Sequence, residues 1–544
     1  MRDLFAMVRQ LGIPTWFCSF SAADRIWPEI VESIQQGKEI PSEIDWTTHC
    51  RIIASNPVTA ARMFEHRMQA FIHKVIISSA HPIGEVIDYF YRVEFQQRGW
   101  PHIHCLFWIK DAPKFGDNPK SDVISFIDRY VSCDMPSQTE NPVLYDIVKN
   151  VQMHGKTHSK SCRKGGKTCR FNFPKLPSQR TFISKPDSNE EGTSENSMDK
   201  QSASKLLQNL WDSVCHGTDC TYTTEEIFQQ ANINQIQLEN SVKASIQKET
   251  IFYRRQPSSI WVNNYNPTLL QAWNANMDIQ YVLDAYSCIM YIVSYISKAE
   301  REMGQLLKSA QEEARKGNTN AMDELRQLGS VYLNHREVSV MKSVYRITGM
   351  HMKQCSRQVV FIPTDPDSFR LRIPLSQLKM KQEDTNGIWL PNLVDKYLER
   401  PLDINFKSMC LATFASEYQF ISNNSANNEQ PFLGNDLGIA KKRTKRSAII
   451  RYPRVRIQKD REKYYHGIML LYLPFTNKNF KPNCFHTFED YFLHGSYGDT
   501  PVHENVKVNM LQYEPLAKDI DNIWEQLQST TNQENAMGKF ILIS

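Results

Sequence analysis

The stretch VEFQQRGWPHIHCLFW, residues 93–108, constrains the fold more than any other part of the chain. Two runs rich in aromatic and β-branched residues flank a Gly-Trp-Pro turn, which predicts a β-hairpin. In a strand, alternate side chains point to the same face. His102 and His104 therefore project together, and Ile103, Cys105 and Phe107 face the other way. Two imidazoles on one strand face can ligate a divalent cation, with a third ligand drawn from a neighbouring element. Glu94 and Gln96, two apart on the partner strand, share a face and are the candidates. A histidine pair satisfied within a core would give the same pattern.

A second constellation is YIVSYISK, residues 291–298. Spacings of four and three put Tyr291, Tyr295 and Lys298 on one face of a helix. Two phenols and an ammonium so aligned can serve as two nucleophiles and a charge stabiliser. An amphipathic helix with core tyrosines and a snorkelling lysine explains the spacing equally. The segment from Met277 to Gly317 reads as a long helix or helix pair, apolar first and heavily charged later.

The third constellation is HGKTHSKSCRKGGKTCRFNFP, residues 154–174. His154, His158, Cys162 and Cys169 supply four N/S ligands close enough in sequence for a tetrahedral zinc site. Within it, SCRKGGKT nearly matches a phosphate-cradling loop. However, Ser161 stands where the first glycine belongs and no strand precedes it, which excludes a nucleotide triphosphatase reading.

Charge is distributed unevenly. The formal net charge is only +5, yet residues 154–175 hold seven Lys/Arg and no acid, and residues 441–463 hold eleven against Asp460 and Glu462. Such blocks suit a polyanion, since neutralising phosphates supplies most nucleic-acid affinity. Arg163, Lys164, Lys167 and Arg170 in the first block, and Arg451, Arg454 and Arg456 in the second, are the candidate DNA contacts. KKRTKR, residues 441–446, has the composition of a nuclear localisation signal. No run approaches the roughly 18 apolar residues of a membrane span. The N-terminus lacks a signal-peptide layout. The scattered cysteines point to a reducing compartment.

Together, EFQQRGWPHIH and YIVSYISK resemble the replication-initiator (Rep) domain of Helitron rolling-circle transposons, in the HUH endonuclease superfamily. GIPTWFCSFSAADRIWPE, NPVTAARMFEHRMQAF, the Cys/His stretch ending CRFNFP, WVNNYNPTLLQAWNANMDIQYV and REVSVMKSVYRITGM share the likeness, and SAIIRYPRV and LLYLPFTN extend it beyond residue 470.

The resemblance implies an α+β, ferredoxin-like core with an antiparallel sheet, helical extensions and a small zinc-binding-like insert. It implies Mg²⁺ or Mn²⁺ held by His102 and His104 with Gln96 or Glu94, and single-stranded DNA as substrate. Tyr291 or Tyr295 would attack to give a 5′-phosphotyrosine, with Lys298 stabilising charge. Composition adds a partition of the chain, with two polar stretches reading as linkers. Residues 1–184 would hold the first part of the core with an insert at 152–175, and 185–205 a disordered linker. Residues 206–303 would carry the tyrosine helix, followed by an extension over 304–420, a polar basic linker at 421–447 and a C-terminal extension over 448–544. Helitron proteins carry a helicase after the Rep portion, and these 544 residues show no nucleotide-binding signature. A truncated or domesticated copy, a helicase supplied by another chain, and an inactive transposon-derived DNA-binding protein are therefore expectations beside the active nickase.

Overall fold

The computed structural model describes residues 2–23, 27–35, 46–95, 100–157, 162, 169, 171–186, 200–216, 222–284, 339–365, 371, 373, 388–421 and 431–515. They fall into two compact units. One is built from residues 13–354, and the other joins the first 12 residues to residues 355–525.

The larger unit is organised by a five-stranded antiparallel sheet. Its three interior strands are β1 (Trp16–Ser21), β2 (Val86–Phe95) and β3 (Pro101–Ile109). In spatial order the sheet runs Met277–Tyr281, β1, β3, β2, Lys353–Cys355. The hairpin expected from the sequence is β2 and β3, paired so that Glu94 lies opposite His102 and Arg92 opposite His104. β1 lies on the other side of β3, with Ser19 opposite His104 and Ser21 opposite His102. Gly84 at φ 97° turns the chain into β2, and a Cβ there would meet Ile109 Cγ2 at 2.5 Å. Only glycine fits that turn.

One sheet face is a continuous core. Trp16, Cys18, Phe20, Tyr91, Val93, Ile103, Cys105, Phe107, Met277 and Ile279 pack against the helices Pro57–Phe71 and Pro267–Trp273. Trp273 is fully buried, packs on Phe20, Trp27 and Phe71, and donates its Nε1–H to the Ser21 carbonyl. A second cluster over Phe182–Ile260 is built from the helices Lys200–His216, Thr224–Gln230 and Gln235–Ser245 with the short antiparallel strand pair Phe182–Ser184 and Thr250–Phe252. Thr223 and Asn234 start the latter two with reciprocal capping boxes.

Three sequence expectations change. Met277–Tyr281, read as the start of a long helix, is an edge strand paired with β1. Its burial alternates, with Met277, Ile279 and Tyr281 inward and Asp278 and Gln280 on the other face, and that period of two overrides helical propensity. Residues 200–205 of the expected linker begin the Lys200–His216 helix, and residues 187–199 lie outside the described residues. In the expected basic linker, Ile439–Lys442 pairs antiparallel with Tyr418–Ile421, because Ile439 and Ala440 are buried while Lys441 and Lys442 stay in solvent. Residues 422–430 lie outside the described residues.

The smaller unit surrounds a core of Tyr397, Leu411, Phe414, Met469, Leu471, Tyr472 and their neighbours. Its N-terminal helix Arg2–Leu11 lies against the strand Ile449–Arg451, which pairs parallel with Val359–Phe361.

Candidate metal and phosphate face of the sheet

The strand registers put polar residues in two rows across the sheet face opposite the core. One row is Asp278, Ser19, His104 and Arg92, and the other is Ser21, His102 and Glu94. The rings of His102 and His104 stand 4.6 Å apart between centroids, at 70°. Glu94 reaches diagonally to His104, with its Oε2 2.8 Å from Nε2. Ser21 Oγ is 3.1 Å from His102 Nδ1. Phe17 stacks on His104 at 5.8 Å and 19°. Each imidazole is thus fixed in rotation by a neighbour, the support that metal-binding histidines need.

His104 is 3% exposed and His102 half-buried. Burial pushes His102 down to about 3, with the neighbouring His104 adding to the effect. Burial, with the Arg92 guanidinium next, pushes His104 down to about 4. Both shifts favour neutral rings at pH 7, so His104 and Glu94 meet as a neutral imidazole and a carboxylate and not as an ion pair. Neutral imidazoles keep lone pairs for a cation. Of the expected third ligands, Glu94 stands beside the pair, and Gln96 lies outside the described residues.

Tyr291, Tyr295 and Lys298 also lie outside the described residues. Of the Cys/His set, His154, Cys162 and Cys169 converge, with ligand atoms within 4.8 Å of one another. His158 lies outside the described residues, as do Arg163, Lys164, Lys167 and Arg170. In the smaller unit, Arg451 is held by Asp3 at 2.7 Å. Arg454 is held by Glu514 at 2.9 Å and by the Tyr452 hydroxyl at 2.7 Å. Arg456 is half-buried.

The sequence reading did not find Ser19, Ser21, Phe17, Arg92 or Asp278. The signal for the first three was present in TWFCSFS, whose alternation of serines with aromatic and sulfur side chains makes Ser19 and Ser21 face-mates. Only the pairing of β1 with β3 shows that their face is the histidine face.

Residues 1–107 match the family model described as the Helitron helicase-like domain at the N-terminus, a span that includes β1, β2 and the histidine pair. No curated protein matches the chain. Among the described residues, no helix is long and apolar enough to cross a membrane.

Proposed function

We propose that this Helitron Rep-related domain makes the chain a metal-dependent single-stranded DNA endonuclease and strand transferase of rolling-circle transposition, with an HUH core. One observation carries the reading. Within the stretch that matches the Helitron family, two imidazoles stand side by side on one sheet face, 4.6 Å apart between ring centroids, and a carboxylate touches one of them. Side-chain rotation that gathers these N/N/O donors would give a set suited to Mg²⁺ or Mn²⁺, Mn²⁺ better because imidazole is a softer ligand than Mg²⁺ favours. Such a cation supplies Lewis-acid polarisation of a phosphodiester and a template for its oxygens.

The chain's own residues do the rest. Ser21 and Phe17 hold the two rings in place, and Glu94 (or Gln96) completes the set. Tyr291 or Tyr295 attacks phosphorus. The tyrosine gives up its phenolic proton as the bond from phosphorus to its oxygen forms, the bond to the 3′ oxygen breaks, and that oxygen takes up a proton to leave a free 3′-OH, so that no net proton is gained or lost. A second tyrosine permits a second transesterification while the first still holds DNA. Lys298 stabilises charge on the phosphate. The basic blocks bind DNA backbone, in the nucleus, and zinc belongs to the Cys/His insert.

The test is incubation of the full chain with labelled single-stranded DNA and Mn²⁺, with and without EDTA, resolved on a denaturing gel. A covalent adduct that needs Mn²⁺, and is lost in His102→Ala and in Tyr291→Phe or Tyr295→Phe, is the expected result. DNA binding with no adduct on any sequence tried would overturn the enzyme reading in favour of an inactive transposon-derived DNA-binding protein.

A further inference from the structure

The Cys/His insert is wired to the sheet in a way its ligand spacing does not reveal. Cys162 Sγ and Cys169 Sγ are 3.3 Å apart, and each is 3.5 Å from His154 Nε2. In a tetrahedral site with ordinary Zn–S and Zn–N bonds, ligand atoms lie about 3.5–3.8 Å apart. The triangle therefore needs to open by only a few tenths of an ångström to accept the ion. A disulfide would instead need the sulfurs to close to about 2.05 Å. Both cysteines are buried, at 5% and 6% exposure. The His154 ring lies flat against Phe173, 4.5 Å away at 11°, with Trp261 parallel at 6.4 Å. The Phe171 backbone N–H donates to Cys169 Sγ at 3.4 Å, a contact that favours a thiolate. Two thiolates and an imidazole select a soft, thiophilic ion over the hard ion suited to the histidine face.

The backbone leading into this triad is stitched to the edge strand that carries Asp278. Gln152, 1% exposed, stands two residues before His154. Its Nε2 donates to the carbonyls of Met277 at 2.6 Å and Asn264 at 2.9 Å, and its Oε1 accepts from the Met277 N–H at 3.2 Å. His154 N–H donates to the Trp261 carbonyl at 2.8 Å, and beyond the triad the Lys175 N–H donates to the Ile260 carbonyl at 2.8 Å. Both ends of the insert are thus pinned to residues 260–264 and, through Gln152, to Met277.

We infer that one zinc ion held by His154, Cys162 and Cys169, with a fourth ligand from outside this triad, staples the insert to the edge strand Met277–Tyr281. By holding that strand on β1, the ion supports the row that runs from Asp278 through Ser19 to His104. The inference rests on the zinc reading of the insert and is independent of nicking.

The test uses the full chain purified under reducing conditions. One zinc per chain by elemental analysis is expected, falling sharply in Cys162→Ser and Cys169→Ser and unchanged in Cys484→Ser, an exposed cysteine elsewhere. Substitution with Co²⁺ should give thiolate-to-cobalt charge-transfer absorption that the same two variants weaken. Should those variants fail to fold, the wild type still decides: chelation should expose Cys162 and Cys169 to alkylation, and added Zn²⁺ should protect them again. Metal-free protein, or zinc retained by both serine variants, overturns the site and the staple together. Hydrogen exchange then isolates the staple. Zinc removal should speed exchange in the peptide covering Met277–Tyr281 and leave the hairpin β2–β3 slow. Bound zinc with exchange in Met277–Tyr281 unmoved overturns the staple alone. Zinc bound without any DNA adduct would sink the nickase and leave this inference standing.

Discussion

Asp278 is the least comfortable residue on the histidine face. Its Oδ2 accepts from Gln280 Nε2 at 2.6 Å, while its Oδ1 is buried with no hydrogen-bond partner among the described residues. Burial raises its carboxyl from 3.8 to about 6, although the hydrogen bond from Gln280 and the nearby Lys175 ammonium pull the other way. The same burial, with Arg255 next, lowers Lys175 to about 8. A carboxyl whose folded value is raised favours its protonated form in the native state. Its penalty is absent below the unfolded value, grows through the window from 3.8 to about 6, and is complete above it. Asp278→Asn should therefore stabilise the protein at pH 7 by about 1–3 kcal/mol and have little effect near pH 4. Thermal unfolding of both proteins across that range checks it; an equal shift at both pH values would show that charge is not the cause. His102 and His104 act with the opposite pH dependence. Their folded values lie below 6.5, so the unfolded chain takes protons first, and stability should fall as pH drops from about 6.5 towards 4. In His104→Gln that decline should be shallower, and an unchanged slope would mean that other groups drive it.

Among the elements, Gln152 joins a π-helical turn (Val148–Gln152) to a strand distant in sequence. Gln152→Leu would keep the volume but remove the side-chain acceptor of the Met277 N–H and a donor to the Asn264 carbonyl, while the Met277 carbonyl would keep only the longer bond from Asn263 Nδ2 at 3.4 Å. The expected loss is about 1–3 kcal/mol per unsatisfied group, read as a lower urea midpoint with unchanged slope; a midpoint unchanged within error would mean that water replaces the glutamine. No sequence pattern announces this role, since a glutamine at a helix end looks like solvent-facing polar filler. The hairpin β2–β3 was legible because its alternation, its Pro-bounded turn and its paired histidines all agree. Met277–Tyr281 was not, because its five-residue alternation runs straight into apolar residues at helical spacing. The Cys/His triad was half legible. His154, Cys162 and Cys169 could be named from spacing, but their wiring to the sheet depends on contacts distant in sequence, such as Gln152 to Met277 and His154 to Trp261.

At the scale of the whole molecule, the two units are not successive stretches of chain, because the N-terminal helix belongs with residues 355–525. In that helix Asp3 through Arg9 are all buried, including Leu4, Phe5, Ala6, Met7 and Val8. A helix buried all round is core and not a surface element. Gln10 reinforces the packing by acting as a strand partner: its Nε2 donates to the Ile450 carbonyl at 2.7 Å and its Oε1 accepts from the Ile450 N–H at 3.0 Å. Asp3 fixes Arg451 on the same strand at 2.7 Å. The family match therefore begins, over its first 12 residues, in the smaller unit and continues in the larger one. Phe5→Ala should remove roughly 3–5 kcal/mol from the smaller unit, the usual range for a buried aromatic truncated to alanine. Hydrogen exchange can localise that loss. Exchange should quicken in peptides covering Leu411–Glu417 and Ile449–Arg451, while β1 and β3 keep their protection. Equal loss in both sets would mean that the units unfold as one, and loss confined to β1 and β3 would contradict the assignment of the N-terminal helix to the smaller unit.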